Sequence, residues 1–259
     1  MIDTPYELLN SKTNQAPLPS GGAGGGFFPS GKAGNGLPGG FLFCTILASG
    51  EQPEHDIPVR LLQEAPYIVC CDGAITQCDW ADAAVGDGDS TPSWAREEYE
   101  DIFVEVGEQD DNDLTKATRF CIEKGFRRIV YLGATGRRED HTLGNISLLM
   151  RYASEFGIEP LMATNHGWFT PVTPTGQSPL LGRVGGGSAI RAESFNSFPG
   201  QQVSIFNFGC TELRTHGLRY DGYPFGQWWQ GTLNEATGTQ FSIEANGQYL
   251  VYRTYEAKQ

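Results

Sequence analysis

From residue 41 onward the chain alternates short apolar runs, at 41–48, 67–71, 83–85 and 128–132, with longer polar stretches able to form helices. Brief apolar runs of this kind predict buried strands, and their alternation with helical stretches predicts a mostly parallel sheet covered by helices. Leu114, Ala117 and Cys121 fall at i, i+3 and i+7, and Gly125 stands where a helix C-cap belongs. Leu143, Ile146, Met150 and Ala153 form a second apolar stripe, closed by Gly157. That stripe predicts a helix burying this face, with His141 and Asn145 on the opposite one.

Past residue 171 the pattern changes to turns, aromatics and alternating runs at 201–208, 240–244 and 248–255. Asn246-Gly247 between the last two runs predicts a hairpin. The first 40 residues are rich in glycine and proline and predict a flexible extension. The organisation expected is therefore an extension over 1–40, an α/β domain over 41–172 and a smaller all-β sandwich over 173–259. Within the last, 173–188 would be a linker or mobile loop.

Composition narrows the function classes. With 31 acidic residues against 18 lysines and arginines, the formal charge of −13 argues against a chain that grips nucleic-acid phosphates. Nothing resembles a membrane span, and the first residues carry Asp3 and Glu7 where a secretory leader has positive charge, so the expected address is the cytoplasm. The six cysteines lack zinc-type pairing and read as reduced, core-filling thiols.

Three clusters could carry chemistry. Gly86-Asp87-Gly88-Asp89-Ser90 follows a short strand and offers two carboxylates, a magnesium-type ligand set or a plain Asp-Gly turn. Glu108-Gln109-Asp110-Asp111-Asn112-Asp113 runs into a helix that carries Lys116. Asn112 or Asp113 could simply cap that helix, or the crowded carboxylates could share a divalent ion that relieves their repulsion. The third cluster, from Gly133 through Arg137, Arg138, Glu139, Asp140 and His141 to Asn145, again follows a strand and opens a helix. Glycines, free helix N–H groups and arginine together outline an anion site.

Taken in order, Asp72-Gly73-Ala74 and these three segments resemble the catalytic domain of thiamin pyrophosphokinases over roughly residues 41–172. The resemblance implies an α/β Rossmann-like catalytic domain that binds ATP and Mg2+, with a C-terminal β-sandwich that binds thiamine across a homodimer interface. It implies that Asp87, Asp89, Asp110 and Asp113 hold magnesium and the ATP phosphates. Asp72, Gln109, Lys116, Arg138, Asp140, His141 and Asn145 would shape the nucleotide pocket, Asp140 being counted with the catalytic aspartates. Gly88, Arg137 and Glu108 depart from the family pattern without removing a carboxylate. In the C-terminal part, residues 215–220 and 231–235 resemble the family's thiamine-binding segments, which implies roles for Tyr220, Thr232 and Asn234, with Leu233 in place of a serine. Trp228 and Trp229 lie just upstream and could face a cationic ring or pack in the core. The reaction expected is transfer of the diphosphate of ATP to the thiamine hydroxyl. The alternatives are a pyrophosphokinase for another hydroxymethyl heterocycle such as a pterin, and a non-catalytic sensor of thiamine diphosphate or nucleotide.

Overall fold

A computed structural model describes residues 4–10, 43–108, 110–173 and 189–257. The chain begins with the short helix α1 (Pro5–Asn10). It then alternates through β1 (Phe43–Leu47), α2 (Asp56–Gln63), β2 (Ile68–Cys71), β3 (Ala83–Gly86), α3 (Ser93–Glu98), β4 (Phe103–Glu105), α4 (Asp113–Glu123), β5 (Arg128–Leu132) and α5 (Glu139–Ser154). Strands follow: β6 (Glu159–Ala163), β7 (Gly167–Val172), β8 (Arg191–Asn196), β9 (Gln201–Asn207), β10 (Leu213–His216), β11 (Asn234–Glu235), β12 (Gln240–Ala245) and β13 (Tyr249–Ala257). The expected runs at 41–48, 67–71, 83–85 and 128–132 are β1, β2, β3 and β5.

One ten-stranded sheet, in the order β11-β9-β13-β7-β6-β5-β1-β2-β3-β4, runs through the molecule. Pairing is parallel from β4 to β6 and antiparallel from β6 onward. The parallel strands are apolar on both faces because both are covered. On one face Leu47, Ile68, Val130 and Leu161 pack with Leu61 and Leu62 of α2; on the other Ile46, Val69, Ile129 and Tyr131 pack with Leu114, Ala117 and Cys121 of α4 and Leu149 of α5. A second sheet, β10-β12-β8, lies against the antiparallel end of the first. Phe195, Phe241 and Ile243 meet Val203, Ile205 and Val251 in a third core between the two sheets, which makes the C-terminal sandwich. The sandwich thus borrows one of its layers from the sheet of the α/β part.

Three expectations are corrected by the fold. Asn246-Gly247 is no hairpin turn, since β12 belongs to the small sheet and β13 to the large one, so this dipeptide turns a corner between layers. Asn246 Oδ1 accepts from the backbone N–H groups of Thr211 and Glu212, which fixes the corner. On α5 the buried positions are Asn145, Leu149, Met150 and Tyr152, while Leu143 is exposed. The helix is rotated from its apolar stripe, so Asn145 is buried after all, because its amide finds partners in the interior. Finally, residues 5–10 of the expected extension form α1, with Leu8 and Leu9 buried in the α2 face of the core and Tyr6 edge-on to Trp168. Residues 11–42 and the expected linker segment 174–188 lie outside the described residues.

Candidate active site

The strand order reverses between β1 and β5, and the chain leaves both strands at the same edge. A doubly wound sheet opens a crevice at such a point. Here it is a cleft of about 340 Å3, lined by the segments after β1 (Ala48, Ser49, Gly50), β2 (Asp72) and β5 (Gly133, Ala134, Thr135), and by the starts of α4 and α5. The connections after β1 and β5 are locked together: Gly50 N–H donates to the Gly133 carbonyl at 2.6 Å and Glu51 N–H to the Thr135 carbonyl at 2.7 Å. A Cβ on Gly50 would stand 2.3 Å from both the Gly133 and Thr135 carbonyl oxygens, so only glycine fits. Sequence reasoning passed over Ser49 and Gly50; the available signal was their place directly after the first strand.

Asp72 is buried and holds a left-handed backbone, φ 42°, rare for a residue with a side chain. Its carboxylate explains why that conformation persists. One oxygen accepts from the Ser90 hydroxyl and from Ser90 N–H, and the other from the Thr91 hydroxyl at 2.6 Å. Gly86 leaves the room, since a Cβ there would fall 2.6 Å from that of Asp72. Asp72 thereby pins the loop that carries Asp87. Carboxylate oxygens of Asp72, Asp87 and Asp113 lie within 4.8 Å of one another, from three successive strand ends or helix starts.

Lys116 is buried beside them, its Nζ 3.4 Å from an oxygen of Asp87 and 3.4 Å from one of Asp113. Burial works against the charged ammonium, and the two carboxylates outweigh it and hold Lys116 above its ordinary range. Burial also raises Asp113; Lys116 pulls it down, while Asp87 and Asp72 push it up again, and the net direction is upward. The site therefore holds more negative charge than one ammonium neutralises, the condition under which an oxygen-liganded cation binds. Asp89 and Asp110, expected in the same ligand set, stand outside this group. Asp89 is exposed, and its N–H caps Asp87 Oδ1 at 3.1 Å; Asp110 is exposed, and its N–H donates to Glu108. Gln109 lies outside the described residues.

The cap of α4 is Asn112, whose Oδ1 accepts from Thr115 N–H at 3.0 Å. Its amide nitrogen donates to Asn145 Oδ1, and Asn145 in turn donates to the Ala134 carbonyl at 2.8 Å. Asn145 is therefore a brace joining the starts of α4 and α5 to the β5 turn, with its amide engaged by protein. Asp111 is held on the far side of the loop by Arg119 at 2.8 Å and Arg151 at 2.9 Å. At the opening of α5, Arg138 and Asp140 form a forked pair, at 3.2 and 2.6 Å, which holds Asp140 below the usual carboxylate range with help from His141 N–H. Arg137, Arg138, His141 and Thr142 line the cleft on this side.

Comparison with known proteins decides what this cleft belongs to. Residues 59–159 match the family model described as thiamin pyrophosphokinase, catalytic domain, and residues 188–252 match the one described as thiamin pyrophosphokinase, substrate-binding domain. The chain belongs to the thiamin pyrophosphokinase family. Thiamin pyrophosphokinase 1 of Caenorhabditis elegans is 29% identical over 134 residues, a stretch covering 47% of this chain and 54% of that protein, about half of the relative's length. Solved structures agree on the fold. The thiamine pyrophosphokinase of Bacillus subtilis superposes with a TM-score of 0.62 at 21% identity, covering 82% of this chain and 98% of that one. For thiamin pyrophosphokinase from Candida albicans the TM-score is 0.64 at 16% identity, covering 83% and 90%.

In this thiamin pyrophosphokinase family member the fold accounts for a glycine at position 88. Its φ is +82°, and a Cβ would lie 2.5 Å from the guanidinium carbon of Arg96, which fills that space and is held by Glu105 at 3.0 Å and by the Phe103 ring. In the substrate-binding half, Asn234 is buried, with both ends of its amide on the Tyr220 backbone, and Thr232 Oγ1 donates to the Trp229 carbonyl. These two side chains shape the segment. Tyr220, Tyr223, Trp228, Trp229 and Leu233 are exposed here, Leu233 in a left-handed backbone at φ 63°. Trp228 also packs one side of its ring against Phe206 and Phe208.

Proposed function

We propose that this chain transfers the terminal diphosphate of ATP to the hydroxyl of thiamine, giving thiamine diphosphate and AMP. The observation that carries the reading is the convergence of Asp72, Asp87, Asp113 and Lys116, of which Asp72 and Asp113 line the switch-point cleft, in a chain whose two parts match the two thiamin pyrophosphokinase domain models in order. A bond forms between the thiamine hydroxyl oxygen and the β-phosphorus. The bond from that phosphorus to the oxygen bridging to the α-phosphorus breaks, AMP leaves with that oxygen, and the hydroxyl proton is released.

Positioning and charge neutralisation are the enzyme's contribution to such a transfer. An all-oxygen, multiply charged cluster fits magnesium, with Asp87 and Asp113 as ligands and Asp72 completing the set while it orders the loop. This set is narrower at Asp89 and Asp110, and wider at Asp72, than the sequence implied. Bound there, the ion would neutralise phosphate oxygens. Lys116 keeps the carboxylates together, the N–H groups opening α5 receive phosphate, and Asn145 holds that helix start in register with α4.

Thiamine is proposed to sit against the exposed Tyr220 and Trp229 rings, in a site completed by a second copy of the chain. What supports the dimer is that the cleft lining comes from residues 48–145, so no described residue of the substrate-binding half reaches it within one chain. The cytoplasm is the proposed setting, supported by six free, buried cysteines; no helix among the described residues is long and apolar enough to cross a membrane.

The test is AMP release from ATP and magnesium with thiamine present, absent or replaced by a hydroxymethyl pterin, with product masses recorded. AMP and thiamine diphosphate formed only with thiamine and magnesium together are expected. Turnover of the pterin and not of thiamine would replace the substrate, and AMP formation in neither would remove the reaction.

A further inference from the structure

The cleft must receive a polyphosphate in a chain of formal charge −13, which makes its uncommitted cations the informative groups. Lys116 is engaged with Asp87 and Asp113. Arg138 spends its Nε and Nη2 on the two oxygens of Asp140, so it meets a phosphate only with its remaining N–H groups and with its charge already paired. Arg137 also lines the cleft, is exposed, and pairs with no carboxylate among the described residues.

Its location is rigid. Gly136 has φ +88°, and a Cβ there would lie 2.5 Å from Glu51 Cβ, so the turn is clamped against the segment after β1. Two further bonds hold it: Glu51 N–H to the Thr135 carbonyl, and Gly136 N–H to the Thr142 hydroxyl at 3.3 Å. The Arg137 stem therefore leaves a fixed point at the rim, directly before the N–H groups that open the 16-residue α5. A planar guanidinium there can take two phosphate oxygens without losing an existing partner.

We propose that Arg137 is a phosphate-binding residue of the nucleotide site, offering the polyphosphate a guanidinium that no carboxylate among the described residues neutralises. The inference rests on the reading of the cleft as the ATP site. Arg137 is solvent-exposed and its side chain bonds to no other described residue, so its removal leaves the turn in place.

Calorimetric titration of MgATP and, separately, of thiamine into the full chain and its Arg137→Ala and Arg137→Lys variants tests this. Loss of a charge-assisted pair weakens MgATP binding by about tenfold to a hundredfold in Arg137→Ala. Arg137→Lys recovers most of that loss, and thiamine binding is unchanged in both. MgATP binding by Arg137→Ala equal to that of the unsubstituted chain overturns the proposal. Parallel loss of thiamine and MgATP binding also overturns it, because it would mark collapse of the turn rather than loss of a contact. An unsubstituted chain that binds thiamine and not MgATP would instead overturn the ATP-site reading, and the role of Arg137 with it.

Discussion

Lys116 carries a charge that the fold buries, and it stays because two carboxylates face it. Replacing it with methionine keeps most of the packing and leaves Asp87 and Asp113 repelling each other at close range. Lys116→Met is expected to cost about 2 kcal/mol in urea denaturation, with part of the loss recovered on adding magnesium; recovery absent at any magnesium concentration would separate Lys116 from the cation site. The residue types of this centre were readable, since Asp87, Asp113 and Lys116 lie in segments whose composition already pointed to phosphate chemistry. The role of Asp72 was not, because its hold on Ser90 and Thr91 joins residues 18 and 19 positions apart and depends on a backbone angle that no periodicity encodes. Asp89 and Asp110 look equivalent to their neighbours in sequence, and their exposure outside the group of Asp72, Asp87 and Asp113 is a property of the folded loops.

Between elements, Asp111 ties the acidic loop to α4 through Arg119 and to α5 through Arg151, and both guanidiniums cover the Phe156 ring, at 5.0 and 5.3 Å. The Arg151 hydrogen bond, opposed by desolvation and assisted by Arg119, holds the Asp111 carboxyl below its ordinary range. A depressed folded pKa stabilises above the unfolded value, about 4, and the contribution is lost as pH falls through the folded value. Asp111→Asn is therefore expected to cost about 1 kcal/mol at pH 7, and the gap in thermal midpoint between variant and parent should narrow as pH is lowered below the unfolded value. A gap that stays constant with pH would assign the cost to shape rather than charge. The existence and bounds of α4 and α5 were legible from their spacing and from Gly125 and Gly157. The facing of α5 was not, because the apolar stripe competes with the polar anchorage of Asn145, and two buried amide hydrogen bonds decide the rotation.

At the scale of the whole molecule, α1 reaches back onto the core, and its removal uncovers Leu8, Leu9 and the face of α2 against which they pack. Deleting residues 1–10 is expected to cost about 3 kcal/mol in denaturant unfolding, with turnover per folded molecule retained, because no residue of α1 lines the cleft. An unchanged midpoint would mean the helix contributes no net stability.

The alternation of apolar runs determined by itself that β1, β2, β3 and β5 form and that helices cover them, because burial on both faces demands uninterrupted apolar strands. It also placed the chemistry after strands, where an open sheet leaves room for ligands. Only tertiary structure decided that β13 crosses into the large sheet while β12 stays in the small one, since a corner and a hairpin use the same Asn-Gly dipeptide and differ in which distant backbone receives the next strand. The same holds for Asp72, Asp87 and Asp113. Their carboxylates meet because the ends of β2 and β3 converge with the start of α4, and that convergence is set by strand pairing and helix packing that no single segment encodes.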